Sequence, residues 1–189
     1  MTPVEGAKVL FTGPAGAGKT TAIRALSEIA APAGDDNSDD RQPVAFDYGE
    51  FRLEGGAPMR LYGAPEQLRF DFMWKALADD AMGLVVLLDH RRPDPAADAL
   101  HYVQSFGALA RRGACVVAVG RFDAARAPNL CAISFRLETA GYKVAVIEID
   151  VRRSAYVRRM MQALVALARR DAVTPQDAQP TAPALLHNS

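Results

Sequence analysis

The chain has 189 residues, half of them hydrophobic and 23% charged, which is material for one core and about one domain. Lys plus Arg and Asp plus Glu number 22 each, so the formal net charge is zero and the basic excess of a dedicated nucleic-acid binder is missing. The two cysteines, Cys115 and Cys131, show no CxxC and no metal-ligand spacing, which predicts buried, reduced thiols rather than a disulfide frame or a zinc site.

The first residues carry no basic-then-apolar leader, and the strongest apolar run, 83–88, is far below the ~20 residues that cross a bilayer. Together these features lead to the expectation of a soluble cytoplasmic protein.

In chain order, residues 7–12 are short, apolar and bounded by Gly6 and Gly13, the pattern of a buried strand. Residues 13–18 form a glycine-rich turn. Residues 19–30 carry apolar residues at Ala22, Ile23, Leu26 and Ile29 or Ala30, a helical stripe. Residues 31–42 have no periodicity and hold four Asp, the signature of a mobile acidic loop. Stretches 44–53 and 59–63 read as strands of a hairpin closed through Gly55 and Gly56.

A loop at 64–69 and a helix at 70–82 follow. Then come a strand at 84–89 and a helix at 94–112, opened by the cap Asp94 and the first-turn Pro95. Next are a strand at 115–120, a helix at 129–139 ending at Gly141, a strand at 144–150 and a helix at 153–170. Residues 171–189 are rich in Pro and Ala and read as a disordered tail after one domain spanning 1–170. Nearly continuous apolar strands alternating with helices predict an α/β fold. Its six-stranded sheet is mixed but mostly parallel, with an antiparallel edge and helices on both faces.

The sequence 13–20, GPAGAGKT, matches GxxxxGK[ST] in the strand-to-helix context the motif requires, which predicts a P-loop NTPase three-layer sandwich. Glycines there let successive backbone N–H groups turn inward as an anion cradle, and the helix start adds its positive end. Gly13, Ala15, Gly16, Ala17, Gly18, Lys19, Thr20 and Thr21 are the candidate phosphate-binding residues. Lys19 would reach the β- and γ-phosphates, and the Thr20 hydroxyl would ligate Mg²⁺.

Further along, 61–74 reads LYGAPEQLRFDFMW. This resembles the FGTPGQERFDFMW-like segment of a group of bacterial Ras-like small GTPases. Residues 45–49, AFDYG, are similar to the MDYG-type strand of those proteins. The strand ending in GRFD (120–123) sits where they carry NKxD, and the resemblance runs from about 7 to 170. It implies a guanine-nucleotide-binding switch with slow or partner-dependent GTP hydrolysis, using Mg²⁺. It also implies GTP and GDP as ligands and roadblock-type protein partners in polarity, motility or surface-appendage control. Gln67 falls at the position of the family's water-orienting glutamine, and Arg121 with Asp123 at its base-reading motif. A carboxylate there accepts the guanine N1–H and amine, donors that adenine does not offer.

The departures have physical meaning. Gly63 stands where the family's third strand ends in a magnesium-supporting Asp, and Glu66 replaces the glycine that donates to the γ-phosphate. A carboxylate a few ångströms from a triphosphate costs kcal/mol unless solvent screens it. The threonine of the first switch loop is absent from 41–44, and NKxD is reduced to Asp123. Asp89, closing a Walker-B-like strand, and Asp47, an acid in an apolar strand, are both candidates for the missing carboxylate.

These departures also fit a degenerate pseudo-GTPase acting as a scaffold. A small-molecule P-loop kinase is a third reading, with 90–94 as its lid-like cluster. Residues 151–170 hold six arginines and no acid beside the stripe Val157, Met160, Met161, Leu164 and Leu167. That pattern is either a solvated basic face or a dock for an acidic partner, anionic lipid or the chain's own 35–40 loop. His90, His101 and His187 are too scattered for a metal site, and Trp74 reads as a packing residue.

Overall fold

The computed structural model describes residues 6–27, 47–53, 56–64, 78–112, 114–121 and 129–171. Six strands form one sheet: β1 (Lys8–Thr12), β2 (Asp47–Arg52), β3 (Pro58–Gly63), β4 (Ala81–Asp89), β5 (Ala114–Gly120) and β6 (Ala145–Glu148). Their order across the sheet is β2-β3-β1-β4-β5-β6. β2 runs antiparallel to β3 at one edge, and every other pairing is parallel. The described helices are α1 (Lys19–Leu26), α2 (Pro95–Ser105), α3 (Gly107–Arg112), α4 (Leu130–Thr139) and α5 (Ser154–Asp171).

The period-2 alternation of the strands divides the core in two. Val9, Phe11, Leu61, Val85, Leu87, Val116 and Ala118 join one cluster with Ile23 and Leu26 of α1 and Val157, Met160, Met161 and Leu164 of α5. Leu10, Leu84, Val86, Leu88, Val117 and Val119 join the other with Ala99 and Val103 of α2, Leu109 of α3 and Ile133 and Leu137 of α4. Both faces of β1, β4 and β5 are therefore covered, which is why those strands read as unbroken apolar runs.

Caps fix the helix ends. Asp94 Oδ1 accepts from the Ala97 N–H at the start of α2, and Asn129 Oδ1 accepts from Ala132 at the start of α4. α4 ends in a Schellman motif: Gly141, at φ +83°, donates to Glu138 O and Tyr142 donates to Leu137 O.

Two boundaries and one burial differ from the sequence expectation. The helix expected over 94–112 is broken at Phe106 into α2 and α3. Phe106 leaves the helical region at φ −116°, ψ +33°, and a side chain at Gly107 would meet the Tyr142 hydroxyl at 2.9 Å. The strand expected from 84 starts at Ala81, taking Ala81 and Met82 from the helix expected over 70–82. These two residues face the core as strand residues because β4 pairs with Lys8 as early as Ala81. The cysteines also part company: Cys115 is buried in β5, but Cys131 is exposed on α4. The helix expected over 19–30 is α1 as far as Leu26, and Asp171, the first residue of the tail expected over 171–189, is the last residue of α5; the loop at 31–42, most of 70–82 and the rest of the tail lie outside the described residues.

Candidate functional site

The parallel strands deliver their last residues to one edge of the sheet, and because β2 is antiparallel its first residue, Asp47, arrives there too. In the β2–β3 register Asp47 stands opposite Gly63, and in the β1–β3 register Phe11 stands opposite Gly63. The segment leaving β1 therefore turns beside both.

That segment, 13–18, is a glycine turn in the strict conformational sense. Gly13, Gly16 and Gly18 adopt φ of +135°, +73° and +101°. A Cβ on Gly13 would sit 2.0 Å from the Leu87 carbonyl oxygen, so the loop lies against β4 in a way no side chain permits. Gly16 faces open space and, with Ala15, is exposed, whereas Gly13 and Ala17 are buried. The loop is thus anchored at its base and open at its tip. α1 begins directly at Lys19, with Gly18 in the left-handed N-cap position and no side chain capping it.

Lys19 folds its ammonium back over the turn and donates to the carbonyls of Gly13 at 2.7 Å and Pro14 at 2.9 Å. The Thr20 hydroxyl donates to Asp47 Oδ2 at 2.6 Å. Thr21, next along, is exposed. An ammonium, a hydroxyl and a carboxylate are thereby gathered at one sheet edge by eight residues of loop and helix and one strand end.

The hairpin fits closely over α1. A Cβ on Gly49 would meet Ile23 Cγ2 at 2.8 Å, and one on Gly63 would meet Asp47 Cβ at 2.7 Å and Asp47 Oδ2 at 3.1 Å. The side chain of Asp47 therefore fills the space that a side chain at 63 would need.

The second candidate carboxylate is engaged elsewhere. Asp89, at the end of β4, accepts from the Arg91 backbone N–H at 2.9 Å and from its guanidinium at 3.0 and 2.8 Å. Arg121 Nε approaches the same carboxylate at 3.6 Å. The hydrogen bond from Arg91 holds the Asp89 carboxyl below the ordinary Asp range, and Arg121 adds to the effect against the opposing effect of burial. Of the two base-site candidates, Arg121 leaves β5 at φ +60° with its side chain toward Asp89. Asp123 and the proposed water-orienting Gln67 lie outside the described residues, as do Glu66 and Trp74.

One neighbour escaped the reading of the sequence. A Cβ on Gly18 would meet Val151 Cγ2 at 2.9 Å, so the connection from β6 to α5 borders the glycine turn. The same connection holds Asp150, which accepts from Arg152 at 2.8 and 2.9 Å and has Arg153 at 3.8 Å. No short motif marks Val151; its place follows from sheet order, which the sequence does not spell out.

Of the remaining arginines on α5, Arg158 lies over the Phe51 ring at 5.3 Å. The stripe Val157, Met160, Met161 and Leu164 is buried as expected, with Leu167 packed partly against it. A shallow groove lined by Leu100 of α2 and Phe135 of α4 lies on the other face of the sheet from α1. Among the described residues, no group of three or more His, Cys, Asp or Glu side chains is placed to hold a metal ion, and no helix is long and apolar enough to cross a membrane. No protein-family model matches the chain, and no curated protein matches it.

Proposed function

We propose that the chain is a P-loop NTPase-fold protein that binds a nucleoside triphosphate at 13–20 and works as a Ras-like, guanine-nucleotide-dependent switch. The observation that carries this reading is the turn from β1 into α1. Three glycines at positive φ are wedged against β4 at the base and open at the tip, and Lys19 and Thr20 follow at the helix start. Glycines at positive φ can turn backbone N–H groups toward an anion, and the Lys19 ammonium beside the turn supports that reading.

The sheet order supports the same fold. β3 and β4 flank β1 on opposite sides, so the loop after β1 sits where the winding reverses, the usual position of a ligand in an open α/β sheet. On this reading Lys19 exchanges its two carbonyl partners for phosphate oxygens. Mg²⁺ bound with the nucleotide would neutralise charge on those oxygens. Thr20 supplies a hydroxyl toward it, a hard oxygen donor of the type the ion takes. Asp123 reads guanine and Gln67 orients the attacking water, and the departures at Gly63 and Glu66 make hydrolysis slow or partner-dependent. Roadblock-type proteins are the partner class suggested by the resemblance at 61–74.

A second reading, the pseudo-GTPase scaffold, is favoured by one specific observation: Gly63 brings no carboxylate to the end of β3. Chromatography of nucleotide released from the purified protein separates the two, followed by competition among GTP, GDP and ATP. The switch requires guanine nucleotide, bound or preferentially competing. Failure of every nucleotide to bind sinks it in favour of the scaffold.

A further inference from the structure

Resting on the nucleotide reading above, we infer that the carboxylate serving the nucleotide-borne divalent cation comes from β2 rather than from β3: Asp47, paired with Thr20, is the cation-supporting residue of this chain. Three independent features lead to it. First, the Thr20 hydroxyl and Asp47 Oδ2 stand 2.6 Å apart at the edge where the glycine turn opens. Both are hard oxygen donors. Adjacent ligands of an octahedral Mg²⁺ lie about 2.9 Å apart, so this pair needs to open by only a few tenths of an ångström to share one ion.

Second, Asp47 and a side chain at position 63 exclude each other. The two positions are register partners, and a Cβ at 63 would come within 2.7 Å of the Asp47 Cβ and 3.1 Å of its carboxylate. An acid at the end of β3 and one at the start of β2 would compete for the same volume. The chain keeps one acid and reduces its partner to glycine. The carboxylate remains at that edge and reaches it from the antiparallel strand.

Third, the rival carboxylate is committed. Asp89 receives two guanidinium hydrogen bonds and one backbone hydrogen bond from Arg91, with Arg121 beside it. Bringing it to a cation would break a bidentate pair. Nor does any other group of acids compete, since none of the described residues form a free-standing metal cluster. That suits Mg²⁺, which is ordinarily held by one or two carboxylates together with substrate phosphates and water.

The test is the magnesium dependence of nucleotide affinity, measured by titrating fluorescent GTP in Mg²⁺ and in EDTA. Asn at 47 still accepts the Thr20 hydrogen bond, so Asp47→Asn keeps the local structure while removing the charge. It is expected to abolish most of the tightening that Mg²⁺ gives the wild type, by about tenfold or more. Affinity in EDTA should stay within about twofold. Asp89→Asn is expected to leave the magnesium effect unchanged. The swap Asp47→Gly with Gly63→Asp returns an acid to the same volume and should restore the effect.

If Asp47→Asn retains the full magnesium effect, or Asp89→Asn loses it instead, the assignment is wrong while the nucleotide site stands. If the wild type binds no nucleotide even in EDTA and Mg²⁺ alike, the nucleotide reading fails and this inference with it. Thermal unfolding of each variant without nucleotide keeps a folding defect from being mistaken for a lost ligand.

Discussion

Gly13 is the residue whose side chain is most sharply forbidden. Its φ of +135° and the Leu87 carbonyl 2.0 Å from any Cβ leave room for a hydrogen and nothing larger. Gly13→Ala has to displace β4 backbone or open the turn, and backbone strain and overpacking each cost about 1–3 kcal/mol. Denaturant unfolding should show a loss of at least about 2 kcal/mol. Gly16→Ala, facing open space, pays only the conformational part.

Asp89 gives a pH signature at the same scale. Its folded pKa is lowered by Arg91, so its contribution to stability is present above the ordinary unfolded value near 4 and is lost as pH falls through the lower folded one. Asp89→Asn should therefore lower the melting temperature at pH 7 and cease to matter in strong acid, which thermal melts across pH 2–7 would register (roughly the span of that titration). The cysteines part in reactivity as they do in position. Burial pushes the Cys115 thiol up to about 12, whereas Cys131 is exposed. A thiol reagent at pH 8, near the free-cysteine pKa, should label Cys131 alone in the native protein and both residues after denaturation.

At the scale of elements, β1, β4 and β5 were legible because each is apolar on both faces, and the glycine turn because its spacing is a local property of eight letters. The cap Asp94 and the stop at Gly141 were legible for the same reason. What escaped depends on partners distant in sequence. The break at Phe106 answers to the Tyr142 hydroxyl above Gly107, and the early start of β4 answers to its pairing with Lys8. Asp47 and Asp89 looked alike as candidate acids. They differ because one meets Thr20 and the other two arginines. The buried face of α4 rests on Leu137, fully buried against the α2–α3 side of the sheet. Leu137→Ala should cost about 2–5 kcal/mol by transfer and cavity terms, visible as a shifted urea midpoint with unchanged slope.

For the molecule as a whole, the sheet brings sequence-distant segments to one edge: the turn after β1, the end of β3, the start of β2 and the connection after β6. The edge hairpin is tied to the turn through the hydrogen bond from Thr20 to Asp47, and to α1 through the close approach at Gly49. Anything that draws Thr20 toward a ligand acts on β2 as well. That is a physical route from the turn to the edge strand.

Calorimetric titration of Mg²⁺–GTP into the wild type and into Lys19→Ala tests the central claim most directly. Lys19 holds its ammonium over the turn on the carbonyls of Gly13 and Pro14, and hydrogen bonds to charged groups are worth about 1.5–3 kcal/mol. The account predicts one-to-one binding to the wild type, weakened by about 10- to 100-fold in Lys19→Ala with the fold intact. Equal binding by both proteins, or no heat from either, would contradict it.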